Sequence, residues 1–147
     1  MSKKNTVSKR VGYLLKRAQH ALRLRMDEAL RALGVTTPQY AALSALEEGG
    51  ARLSGAELAR RCFVTPQTMN AIIHNLETSG LMARAGSSTH GRIINVSLTA
   101  LGKKVVLRCH RVALALEEQM LRPLDAGSRQ QLAERLVQCS RALENEK

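Results

Sequence analysis

The sequence predicts a mainly α-helical fold with one small β-wing. Apolar residues recur at helical spacing along most of the 147 residues. Two short strand-like runs, Leu81–Ala85 and Arg92–Leu98, flank the polar tip Ser87-Ser88-Thr89-His90-Gly91-Arg92. Aromatics make up only 2% of the chain, so the core must be Leu, Ala, Val, Ile and Met, which suits packed helices. At 44% hydrophobic and 24% charged the chain can bury a core, and its length makes one domain the default.

Residues 1–8 are polar. From Lys9 to Leu33, Val11, Leu14, Leu15, Ala18, Leu22, Met26, Ala29, Leu30 and Leu33 recur as one helical stripe. Gly34 stands where a left-handed C-cap would. Thr36-Thr37-Pro38 restarts a helix, with Thr as cap and Pro in the first turn. Its apolar face is Tyr40, Leu43 and Leu46, and Gly49-Gly50 ends it.

Arg52-Leu53 reads as a minimal strand edge. Ser54 with Glu57 three residues on reads as a capping box, opening a third helix from Gly55 to Cys62. Phe63-Val64 is the turn. Thr65 caps the fourth helix, with Pro66 at its first position. Met69, Ile72, Ile73 and Leu76 form its inward stripe, leaving Gln67, Thr68, Asn70, His74 and Asn75 outward. Gly80 closes it. In the second wing strand Ile94, Val96 and Leu98 alternate with Ile93, Asn95 and Ser97. Thr99 caps a long helix through about Leu121, which Pro123 stops. Asp125 caps a last helix with Leu132, Leu136, Cys139 and Leu143 on its apolar positions.

The order helix, turn, helix, hairpin over Leu53–Leu101 is that of a winged helix-turn-helix, which sets a helix in the DNA major groove and a β-tip beside it. Charge agrees. The formal net charge is +11, and residues 52–104 carry seven Lys/Arg against Glu57 and Glu77. Such a balance points to a polyanion. The fourth helix is the candidate recognition helix. Its N-terminus favours phosphate, where the Thr65 hydroxyl adds a contact and Ser54 serves at the start of the third helix. Gln67 and Asn70 are amides that can pair with adenine, and Thr68 can pack on a thymine methyl. His74, one turn beyond Asn70, reaches toward base or phosphate. In the wing, Arg92 aims at the minor groove, with His90 beside it, and Arg84 faces phosphate across the hairpin.

Leu53-Ser54-Gly55-Ala56-Glu57-Leu58-Ala59, Val64-Thr65-Pro66-Gln67-Thr68-Met69-Asn70, Leu76-Glu77-Thr78-Ser79-Gly80-Leu81 and Val96-Ser97-Leu98-Thr99-Ala100-Leu101-Gly102 resemble the MarR (multiple antibiotic resistance regulator) family, and the likeness runs from about Lys9 to the end. The resemblance implies a homodimer joined through helices at 9–33 and 104–147, with a DNA-binding region at 36–102. It also implies repression at a pseudo-palindrome, relieved by a small aromatic or phenolic effector or by oxidation. The implied effector pocket lies among the first, second and fifth helices, with Tyr13, Arg17, Tyr40 and Leu43 as its candidates. One departure stands out: the family wing usually carries Asp two residues before its Arg, where this chain has His90. An imidazole cannot buttress Arg92 by charge pairing as a carboxylate does.

Other classes are disfavoured. No Gly-rich phosphate loop, GxSxG or HExxH occurs, so no enzyme is expected. Cys62, Cys109 and Cys139 are odd in number, far apart and without CxxC, a reducing-compartment pattern in which each reads as a small core residue. Peroxide-sensing relatives carry a reactive cysteine early in the first helix, and this chain has none there. The four histidines are scattered, so no metal and no cofactor is expected. No apolar run reaches the roughly 18 residues of a membrane span, and no apolar stretch follows Met1-Ser2-Lys3-Lys4-Asn5 as in a signal peptide, so a cytoplasmic place is expected. The basic start (Lys3, Lys4, Lys9, Arg10) reads as a DNA arm or as a partner for Glu144 and Glu146 of a second copy. The rival readings are a non-specific architectural DNA- or RNA-binding protein and a small-molecule carrier.

Overall fold

The computed structural model describes residues 6–50, 52–84 and 95–145. A 3-10 turn at Val7–Lys9 leads into α1 (Val11–Arg31) and α2 (Thr37–Glu48). Then come β1 (Leu53–Ser54), α3 (Gly55–Arg61), α4 (Pro66–Thr78), β2 (Met82–Arg84), β3 (Asn95–Leu98), α5 (Ala100–Leu121) and α6 (Ala126–Glu144). The three strands form an antiparallel sheet in the order β1-β3-β2, with Leu53 opposite Val96 and Met82 opposite Leu98. The mainly helical fold with a small β-wing is as the sequence predicts. The parts of the predicted wing strands at Ala85 and at Arg92, Ile93 and Ile94 lie outside the described residues.

The chain divides into two compact units, residues 1–113 and 114–147. In the first, Leu30, Leu43, Leu46, Leu58, Met69, Leu76, Val96, Val106 and Cys109 are fully buried. The recognition-helix stripe Met69, Ile72, Ile73 and Leu76 is inward as its spacing required. The first-helix stripe is inward only at its C-terminal end, where Met26 and Leu33 pack against the core beside Leu30. Only Leu30 is buried, while Val11, Leu14 and Leu15 are exposed. Periodicity states that a face is apolar without stating which chain covers it. The predicted start at Lys9 is corrected too, because extended Arg10 (ψ 141°) separates the 3-10 turn from α1.

Local signals account for most boundaries. After α1, Gly34 adopts φ +70°, its N–H donates to the Arg31 carbonyl, and the Val35 N–H donates to that of Leu30, closing a Schellman cap. Thr36 and Gln39 make a complete reciprocal capping box for α2. The box expected at Ser54 is only half made. The Ser54 hydroxyl accepts from the Glu57 N–H at 3.1 Å, but it donates to the Glu57 carboxylate, which does not reach back to the cap N–H. Ser54 is also the last residue of β1, facing Asn95 across the sheet.

Asp27 ties α1 to the first residue of α2. It accepts hydrogen bonds from the Thr37 hydroxyl and, at 3.2 Å, from Arg23 Nε. The Thr37 hydrogen bond chiefly holds the carboxyl below its ordinary value; desolvation opposes this, and the Arg23 charge adds to it. A lowered folded-state pKa gives stability that is present above the unfolded value, about 3.9, and is lost as pH falls through the folded one. Asp27→Asn is therefore expected to flatten the acid limb of a stability–pH curve below about pH 4. Urea midpoints across that range test this, and parallel curves for both proteins would remove Asp27 from acid sensitivity.

In the second unit, Arg129 on α6 donates to both Glu118 oxygens, at 2.7 and 2.9 Å, and its Nε donates to the Leu124 carbonyl. Asp125 caps α6 by accepting from the Ser128 N–H at 2.8 Å. No α6 residue is buried. Leu132, Leu136 and Leu143 are exposed, and so is Cys139, which corrects its expected place in a core. Among the described residues no helix is long and apolar enough to cross a membrane.

Candidate nucleic-acid interface

The interface is built on α3, its turn and α4. Leu58 and Ala59 bury the inner side of α3, leaving Arg60 and Arg61 exposed on its last turn. Thr65 starts α4 in extended conformation, and Pro66 occupies the first helical position, where a missing N–H removes no helical bond. Gln67, Asn70 and His74 follow at spacings of three and four, so they share one face, and Thr68 stands beside them. All four are exposed. No Asp or Glu occurs between Glu57 and Glu77, so carboxylates do not oppose an approaching polyanion along this stretch.

Two expected roles change in detail. The Thr65 hydroxyl accepts from the Thr68 N–H at 3.1 Å and donates its proton to Thr68 Oγ1 at 3.0 Å. That proton is used within the cap, so the Thr65 hydroxyl is not left to donate to a phosphate as the sequence suggested. Ser54 is half-buried and its hydroxyl is likewise committed to Glu57. Arg84 is exposed at the wing base, and its Nε donates to Glu77 Oε1 at 2.6 Å. This pair holds the guanidinium against the last turn of α4, an orientation that composition alone did not suggest. His90 and Arg92 lie outside the described residues.

The end of α4 is fixed to the start of α5. Gly80, at φ +74°, and Leu81 donate to the Glu77 and Leu76 carbonyls. The Thr99 hydroxyl donates to the Gly80 carbonyl at 2.6 Å, and the Thr99 N–H to that of Leu81 at 3.1 Å. Gly102 then packs so close that a Cβ there would sit 2.1 Å from the Leu81 carbonyl oxygen.

The four candidate effector residues are not gathered into one site. Leu43 is fully buried. Tyr40 is half-buried, and its hydroxyl is 2.7 Å from His110 Nδ1, while His110 Nε2 is 2.5 Å from Glu47 Oε2. A neutral imidazole with its proton on Nε2 satisfies both contacts: the phenol donates to Nδ1, and Nε2–H donates to the carboxylate. This tie between α2 and α5 escaped sequence reasoning because its members are far apart in the chain. Tyr13 and Arg17 are exposed on α1, with Tyr13 about 25 Å along the helix from Leu30, where α1 joins the core. A groove of about 490 Å³ opens nearby, lined by Glu47, Gly50, Leu98, Lys103, Val106 and Leu107, and none of the four candidates lines it. Burial raises the Cys62 and Cys109 thiols, with Arg108 partly offsetting this at Cys109, which disfavours the thiolate an oxidant sensor needs.

Known proteins share this architecture. A family model described as the MarR family matches residues 33–93. An HTH-type transcriptional repressor of Mycobacterium tuberculosis is 40% identical over 116 residues, covering 79% of this chain and 83% of that protein. A MarR family protein of M. tuberculosis solved in complex with DNA superposes with a TM-score of 0.74 at 34% identity, covering 88% of this chain and 97% of that one. The complex of such a protein with salicylic acid gives a TM-score of 0.72 at 36% identity over 88% and 96% of the two chains. With these likenesses added to the helix-turn-helix and its three-stranded wing base, the chain belongs to the MarR family.

Proposed function

We propose that this protein is a transcriptional repressor that binds double-stranded DNA in a sequence-specific manner. It acts as a homodimer on a pseudo-palindromic operator and is released by a small aromatic effector. The observation that carries the reading is α4: a buried inner stripe holds an outer face of Gln67, Thr68, Asn70 and His74 clear of the protein. Amides and a threonine methyl on one face suit base edges in the major groove. Arg84 and Arg92 supply phosphate and minor-groove contacts from the wing, and His90 is a further candidate contact. The exposed apolar stripes of α1 and α6 form the dimer surface, which sets two recognition helices about 34 Å apart on one duplex.

For the effector, the salicylic acid complex of the M. tuberculosis relative supports an aromatic acid or phenol. Tyr40, half-buried with its hydroxyl hydrogen-bonded to His110, is the polar group that would orient such a ligand. The ligand releases DNA only by preferring a spacing of the helices that the operator does not fit.

Selection of bound duplexes from a randomised pool at about 150 mM salt tests this reading, because that salt suppresses purely electrostatic binding. The expected product is a palindrome with half-site centres about 10 base pairs apart, whose complex dissociates on adding salicylate. Recovery of no motif would favour non-specific architectural binding. A motif whose complex ignores aromatic acids would leave the repressor and remove that effector class.

A further inference from the structure

Four helix ends among the described residues turn through left-handed backbone. Three do so at glycine: Gly34, Gly50 and Gly80. The fourth, between α3 and α4, does so at Phe63, with φ 57°. Its hydrogen bonds are those of the glycine-type cap, since the Phe63 N–H donates to the Arg60 carbonyl and the Val64 N–H to that of Ala59. A side chain in this conformation crowds its own carbonyl, a strain glycine does not bear. Nor does the ring repay that strain by packing, for Phe63 is 93% exposed. Folding therefore gives no reason for phenylalanine here, and an outlier of this kind is informative about function.

Its position supplies the reason. Phe63 precedes the α4 cap Thr65 by two residues, so the two backbones stand within about 7 Å. Arg60 and Arg61 are exposed just before it, and no carboxylate interrupts residues 58–76. The ring thus continues the recognition surface at its basic edge. We propose that Phe63 is a DNA-contacting residue, laying its ring on the apolar surface that a duplex offers beside its phosphates: a deoxyribose face or a thymine methyl. This rests on the reading of the chain as a sequence-specific DNA binder.

The test uses the full-length protein and the duplex that the wild type selects. Phe63→Gly removes both ring and strain, and Phe63→Asn removes the ring with a residue that tolerates left-handed backbone. Both are expected to melt no lower than wild type, yet to bind about five- to tenfold more weakly, the effect of half-burying a phenyl ring. The salt slope should not change, because no charge is lost. Phe63→Tyr should bind nearly as wild type does. A duplex with uracil in place of thymine separates the two surfaces. Weaker wild-type binding there, with no further loss in Phe63→Gly, assigns the methyl; an unchanged difference between the two proteins assigns the sugar. Full affinity in the glycine and asparagine variants would overturn the proposal, as would an affinity loss that merely tracks a lowered melting temperature. A wild type that selects no duplex would overturn the DNA-binding reading and this inference with it.

Discussion

Replacing Gly102 by alanine is expected to destabilise the protein by about 3–5 kcal/mol, near the top of the range for a single substitution. The added Cβ would lie 2.1 Å from the Leu81 carbonyl oxygen, a backbone atom with no rotamer into which it could retreat. The start of α5 must therefore move away from the end of α4. That movement breaks the Thr99 bonds to Gly80 and Leu81, each worth about 1 kcal/mol. Urea unfolding at fixed protein concentration measures the loss. DNA affinity should fall as well, because the same clasp sets the bearing of the recognition helix relative to α5. A variant with unaltered stability would mean that α5 is not seated where Gly102 places it.

Gln67→Ala is expected to cost about 1–3 kcal/mol on the preferred duplex and to relax base choice at one position in each half-site. Gln67 is exposed on the second position of α4, one residue after Pro66, with nothing structural to lose. Stability should stay within about 0.5 kcal/mol of wild type, as for most surface changes. Binding titrations against the selected duplex and a scrambled one separate the roles. Equal loss on both would make Gln67 a general contact instead of a base reader.

The fold was largely legible because its boundaries are written in local chemistry. Thr36, Ser54, Thr65, Thr99 and Asp125 each precede a helix, and Gly34 and Gly80 each follow one. The outward face of α4 was equally plain, since Met69, Ile72, Ile73 and Leu76 define its opposite. What escaped was non-local. Glu77 with Arg84, Tyr40 with His110 and Glu47, and Gly102 against Leu81 depend on where separate elements meet, which no periodicity encodes. The candidate pocket failed to assemble for the same reason: Tyr13 and Tyr40 both look like lining residues, yet α1 carries the first well away from the core. Phe63 was visible as a turn residue, but its left-handed backbone was not, because glycine is the ordinary marker for that conformation and was missing.

The bare flank of α6 bears on how this protein responds to its own abundance. Leu132, Leu136 and Leu143 remain 38%, 41% and 78% exposed on the chain that carries them. Once a second copy covers them, that part of the stability belongs to the encounter rather than to the molecule, and it rises with the logarithm of concentration. Dilution then acts on this protein as a denaturant acts on others, and a repressor made in small numbers is also a less durable one.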